Sequence, residues 1–298
     1  MAPISVQLAM AALSAIVLLC LGTQVPRQAL RLSALDWRTL LAILVGQWVL
    51  LPAILYAYLK LNFQPGPEEL AAALVGIAPA GIFTLSTLYL VGVRPSANLL
   101  AGILLLELAG LVLVSLLVEF VSDFSAVSNA HVVRDMEQIA QVQLAVIAIP
   151  LLIGFGLRWA FPHVGAMLAR LTAVIIWLSY LAMVAFAISL KAHFSYRVDV
   201  LASLPIALAL IACSALAGLA IYLICAHLLR VRGQNLLIAT VLIGLQGPVP
   251  ALRMTVLSAY DWPELAAVAI GYAILLPLLA GLWVLISRTR RGGILLPY

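Results

Sequence analysis

Gly244-Leu245-Gln246-Gly247-Pro248-Val249-Pro250 cuts the apolar run from Asn235 to Ser258, and Ala78-Pro79-Ala80-Gly81 cuts the run from Leu70 to Val91. Proline has no backbone donor and its ring clashes with the preceding turn, so a helix is kinked or unwound there. In hydrocarbon the released carbonyls and amides are costly unless they face protein or a water-filled cavity. One such break in each half of a membrane chain points to the binding site of an inverted-repeat secondary transporter.

Composition fixes the medium in which these breaks sit. Of 298 residues, 65% are hydrophobic and only 9% are charged, whereas a soluble domain needs about 25% charge to cover its surface. The apolar runs are continuous and far longer than the roughly 10 residues of a barrel strand. The fold class is therefore an all-α polytopic membrane protein. Cys20, Cys213 and Cys225 all fall inside apolar segments, where thiols act as small hydrophobes. Their spacing suggests neither a metal site nor a disulfide framework. The first segment lacks a basic start and precedes a basic loop, so it is expected to be a retained span and not a cleaved signal.

A membrane helix needs about 20 mostly apolar residues, and nine segments qualify: roughly 4–22, 38–60, 69–91, 95–121, 138–160, 166–190, 199–228, 234–258 and 263–287. Loops and tail on one side carry Arg27, Arg31, Arg38, Arg94, Arg158, Arg170, Arg230, Arg232, Arg288, Arg290 and Arg291, and the other side carries Lys60, Arg134, Lys191 and Arg197. Cytoplasmic loops are enriched in Lys and Arg, so the N-terminus is expected outside a cell membrane and the C-terminus in the cytoplasm. The same distribution makes the basic residues topology determinants and removes nucleic acid as a partner. Membrane lipid and a small-molecule solute are the partners left.

The polar stretch 122–137 separates four spans from five. Residues 1–121 are read as a first repeat that lacks the first helix of a five-helix unit. Residues 122–137 are read as an outer connecting loop, and 138–298 as a second repeat of five spans with a cytoplasmic tail. Counting the missing helix, each broken span is the fourth of its repeat. Two broken crossing helices are thus expected near mid-membrane.

Chemistry is expected where backbone is freed and polar side chains gather. After the first break come Gly81, Thr84, Ser86 and Thr87. Half-helix ends present partial charges, to which the hydroxyls add oxygen ligands, with Pro79 and Gly81 shaping the break. In the second break Gln246 lies beside Gly247 and Pro248, and its amide has four hydrogen-bonding positions to satisfy. Gln47, in Gly46-Gln47-Trp48-Val49-Leu50-Leu51-Pro52, has two readings: a site ligand, or a partner for a carbonyl freed by Pro52. Asn98, two residues after Ser96, is either an oxygen ligand or a cap for the helix after Pro95.

Glu107 and Arg253 are the ionisable residues placed well inside spans, where charge is expensive and marks function. At 1.5 Å per residue, Glu107 lies about 18 Å into its span and Arg253 about 28 Å into its own. Arg253 either snorkels outward or turns inward to pair with Glu107 or hold an anionic solute. His131, His163, His193 and His227 sit in loops or at span ends without metal-ligand spacing. No Ser/His/Asp order or nucleotide-binding glycine loop is present, and the protein is read as no enzyme, with no cofactor and no metal.

Three stretches carry a family resemblance. These are Arg27 to Leu59 with Gly46-Gln47-Trp48 and Leu51-Pro52, Gly76 to Gly92 with its proline–glycine break, and Asn235 to Leu252 with Gly244-Leu245-Gln246. Together they resemble the sodium/bile acid symporter family over nearly the whole chain. The resemblance implies a core of helices around a crossing pair, a separate panel, and relative movement of the two. It also implies sodium ligands at Gln47, Gln246 and Thr84. However, Leu242 stands at the family's glutamate position, Leu85 at an asparagine and Gly247 at the asparagine after Gln246. The only carboxylate and two amides of the ligand set are gone, which predicts loss of sodium coupling. The expected function is secondary transport of a small organic solute, an organic anion, by alternating access. The alternatives are a proton-coupled or uncoupled carrier with Glu107 titrating, or a non-transporting sensor or scaffold on the same fold.

Overall fold

Long apolar stretches without water to satisfy their backbone must bond internally, and helix does so within one segment. Helix is accordingly the regular structure found among the described residues. The computed structural model describes residues 2–25, 36–61, 75–76, 81–93, 96, 98–106, 108–109, 147–193, 199–245 and 263–289. Of the sequence-derived candidates, Pro79, Glu107, Gln246, Gly247, Pro248 and Arg253 lie outside them, as does the 122–137 connection.

In chain order the helices are α1 (Ala2–Gly22), α2 (Trp37–Leu61), α3 (Gly81–Leu90), α4 (98–106), α5 (Ile147–Ala160), α6 (Pro162–His193), α7 (Val200–Leu228), α8 (Gln234–Gly244) and α9 (Pro263–Thr289). Among the described residues, four stretches are long and apolar enough to cross a membrane: Trp37–Leu61, Pro162–Ser189, Val200–Leu228 and Ala266–Ile286. Shorter apolar helices cover Ala12–Gly22, Ile147–Ala160 and Gln234–Gly244. Their positions follow the spans expected from the sequence. The expected count of nine spans, and the inverted repeat, reach into residues outside the described ones.

α7 is the hub, packing on both α8 and α9; α9 also packs on α6, α6 on α1, and α8 on α2. Small residues let backbones approach in membrane bundles, and two glycine contacts do so here. A methyl group built on Gly218 of α7 would sit 2.9 Å from the Cα of Gly244 in α8. A methyl on Gly154 of α5 would collide with the Leu19 carbonyl of α1. On α6, Met167, Leu171, Val174, Leu178 and Leu181 are exposed at helical spacing, Leu181 to 67%. An apolar stripe turned away from the bundle suits lipid.

Among the described residues, two helices contain a π turn. In α2 it spans Gly46–Leu50, immediately before Pro52. Proline cannot donate to the carbonyl four residues back, and the wider i→i+5 turn accommodates the loss, with the Leu51 N–H bonding the Gly46 carbonyl. The second, Ile224–Leu228, ends α7. Pro205 and Pro277 lie inside continuous α7 and α9, so proline alone does not break a helix here.

Candidate functional site

α3 starts at Gly81, whose φ of 52° lies in the left-handed region, a conformation glycine adopts without penalty. α8 stops at Gly244, and the next residue, Leu245, is extended at φ −123° and ψ 97°. Both helix ends therefore fall where the sequence places the breaks. The Thr84 hydroxyl donates to the Leu245 carbonyl at 2.6 Å, and Thr84 is fully buried. A side chain in the first turn of α3 thus satisfies a carbonyl at the end of α8, one that a helix terminus leaves without an intrahelical partner.

Gln47 is fully buried, in the π turn of α2. That turn lies against α7 and α8: a methyl built on Gly46 would meet Ile243 Cγ1 at 2.7 Å and Ile221 Cγ1 at 2.9 Å. Gln47 is therefore carried on a turn that packs on the last turn of α8, one residue from the break. π turns recur at functional sites because they re-aim side chains. Leu242 is fully buried on the same α8, and Leu85 is buried on α3; both belong to the hydrophobic core.

Ser86 and Thr87 are buried on α3. The Thr87 hydroxyl donates to the Phe83 carbonyl at 2.9 Å and is also hydrogen-bonded to the Tyr180 hydroxyl of α6. The Tyr180 ring stacks on Phe83, with centroids 4.9 Å apart, and meets Trp177 edge-on at 5.8 Å. Tyr180 carries no sequence signal. It is one of three aromatic residues in a 32-residue apolar helix, with Trp177 and Phe186, and only the fold brings it to Thr87.

Asn98 belongs to a different cluster, at the end of the bundle that carries Arg38, Arg230 and Arg232. Its carbonyl oxygen accepts from the Asp36 backbone N–H at 2.7 Å, and its amide donates to Asn235 Oδ1 at 3.1 Å. The Asn235 amide donates to Asp36 Oδ2 at 3.4 Å, closing a ring. Thr39 Oγ1 donates to the same carboxylate at 2.7 Å, and Asp36 caps α2 by accepting from the Arg38 N–H at 3.1 Å. The ring pins the starts of α2, α4 and α8 to one another. Asn235 and Leu245 are ten residues apart, so the ring lies about 15 Å along α8 from the crossing. The cap of α4 is Ser96, whose hydroxyl accepts from the Leu99 N–H at 3.3 Å, whereas the Asn98 side chain bonds Asp36 and Asn235. Asp36 and Asn235 could have been anticipated only in part. Asp36 stands at an N-cap position before an apolar run, whereas Asn235 has no local signal.

No group of three or more His, Cys, Asp or Glu side chains placed to hold a metal occurs among the described residues. The junction of α3 and α8 instead offers hydroxyls and helix ends, with the Gln47 amide on the adjacent turn of α2. Such groups can hydrogen-bond a solute.

The family described as Sodium Bile acid symporter family matches residues 11–204 of this chain. The match covers α1 through the start of α7 and includes Gln47, Gly81, Thr84 and Thr87. The second break lies beyond it. A comparison with curated proteins finds no match.

Proposed function

The chain belongs to the sodium bile acid symporter family, a family of membrane transporters, and on that premise we propose that it carries a small organic anion by alternating access without coupling to sodium. The observation that supports this reading is the junction at Thr84 and Leu245, where the first turn of α3 meets the end of α8 inside the bundle. Paired helix interruptions form the solute sites of inverted-repeat transporters. In this reading the chain has nine spans in two inverted repeats, an outer N-terminus and a cytoplasmic C-terminus. Gln47, Gly81, Thr84, Ser86 and Thr87, with Pro79, Gln246, Gly247 and Pro248, surround the path of the solute. Arg253 supplies the positive charge that favours an anion, whereas Glu107 as a proton-titrating residue belongs to the alternative, a proton-coupled carrier.

Loss of sodium coupling is supported by what fills the substituted positions. Sodium must exchange its water shell for oxygen ligands. Leu242 and Leu85, at the positions where family resemblance places a carboxylate and an amide, are core side chains with no oxygen to offer. The test is uptake into proteoliposomes of radiolabelled taurocholate, a bile acid of the class in the family's name. Initial rates that are equal in sodium and potassium at matched ionic strength are expected. A sodium-specific stimulation contradicts sodium independence. An absence of uptake across a panel of organic anions contradicts the carrier reading and favours a sensor or scaffold.

A further inference from the structure

We propose that Tyr180 is a gating residue, and that its hydroxyl on Thr87 is the latch holding the broken helix α3 against α6 in the state described here. The proposal rests on the alternating-access reading above. Among the described residues, side-chain hydrogen bonds link α1 with α6, and link α2, α3, α4 and α8 with one another. Gln24 Nε2 donates to the Ala169 carbonyl at 2.8 Å and lies 3.2 Å from Thr172 Oγ1, tying the end of α1 to α6. Thr84 ties α3 to the end of α8, and the Asp36–Asn98–Asn235 ring ties α8 to α2 and α4. The Thr87–Tyr180 pair joins the first group to the second. It is buried, and it is surrounded by apolar contacts that tolerate sliding far better than a directional bond does.

Proton bookkeeping assigns the roles. A threonine hydroxyl has one proton, and Thr87 gives it to the Phe83 carbonyl at 2.9 Å. The Tyr180 O–H therefore donates and Thr87 Oγ1 accepts. Phe83 stacked on Tyr180 and Trp177 edge-on to it hold the ring in that orientation. Gly281 of α9 leaves room for the Trp177 indole, since a methyl there would sit 3.3 Å from Trp177 Cζ3.

The assignment makes the two partners unequal. Thr87→Val removes the acceptor and leaves the Tyr180 donor bare in an apolar interface, which penalises the latched state. Tyr180→Phe removes the donor, while the Thr87 proton it leaves behind is still satisfied by Phe83. Thr87→Ser keeps the acceptor.

The experiment uses full-length protein in nanodiscs with Cys20, Cys213 and Cys225 replaced by alanine. Spin labels are placed at Leu61→Cys on α2 and Leu181→Cys on α6, both exposed positions, and pulsed electron–electron resonance reads their distance distribution. No solute is added, so the outcome is independent of whether any candidate anion is transported. Thr87→Val is expected to shift the ratio of latched to separated populations by roughly threefold to tenfold, the equivalent of one net hydrogen bond. Tyr180→Phe is expected to shift it less, Thr87→Ser to match the parent, and the double variant Thr87→Val/Tyr180→Phe to resemble Tyr180→Phe alone. Unchanged distributions in Thr87→Val, or equal and additive shifts from the two single changes, overturn the latch. A loss of thermal stability without a change in distances makes the pair a packing contact only and overturns it as well.

Discussion

The Thr84 hydroxyl meets the Leu245 carbonyl at 2.6 Å within a buried surround, so deleting it leaves a terminal carbonyl without that donor. Thr84→Val should destabilise the protein by about 1–3 kcal/mol, the range for a buried polar group left unpaired, and Thr84→Ser by much less. Chemical denaturation of the two variants in detergent checks this; equal stabilities would mean that the junction contributes little. At this scale the sequence disclosed the residues better than their partners. Gly81, Thr84, Thr87 and Gln47 were marked by their nearness to a proline or glycine break, and all four are buried in the bundle. Their partners Leu245 and Tyr180 lie 161 and 93 residues away along the chain, and no local pattern records such a pairing. Asn98 shows the same gap: its partners Asp36 and Asn235 lie 62 and 137 residues away along the chain.

Among the elements, α8 is the most constrained, held at its start by the Asp36 ring and at its end by Thr84 and by close backbone packing on α7. Gly218→Ala places a methyl 2.9 Å from both the Gly244 Cα and the Thr240 carbonyl. Since backbone cannot give way as a flexible side chain does, the change should cost about 1–3 kcal/mol. Gly156→Ala on α5 meets nothing within 4 Å and should be neutral or raise stability, because glycine weakens a helix relative to alanine. Melting temperatures of the two variants, measured side by side, separate the effects; equal losses would mean that the α7–α8 approach is looser than described. Asp36→Ala removes a helix cap together with the acceptor for Thr39 and Asn235. A loss of about 1–3 kcal/mol is expected, with faster amide exchange at the starts of α2 and α8 and no change on α6. Exchange that rises uniformly over the chain would contradict the local role of the ring. The helices themselves were legible as long apolar runs. The π turns were not, because their cause is a backbone rearrangement before Pro52 in one case and a helix terminus in the other, and neither alters the apolar pattern.

At the level of the whole molecule, the apolar stripe on α6 and the four long apolar helices agree with a multi-pass membrane protein, as composition had indicated. The family was legible from three motif stretches, and the match over residues 11–204 covers the first two of them, Arg27 to Leu59 and Gly76 to Gly92. What a sequence alone leaves open is whether a leucine at a ligand position faces the site or has joined the core, since side-chain direction depends on the packed helices around it. Leu242 and Leu85 have joined the core. A ligand that binds only the folded state stabilises it by about 2.7 kcal/mol at a hundredfold excess over its Kd, so a retained sodium site would announce itself on heating. The most direct test is the melting temperature of the purified protein titrated with sodium chloride and, in parallel, with potassium chloride. Superimposable curves are predicted. A saturable rise of several degrees in sodium alone would contradict the account and require oxygen ligands that Leu242 and Leu85 do not supply.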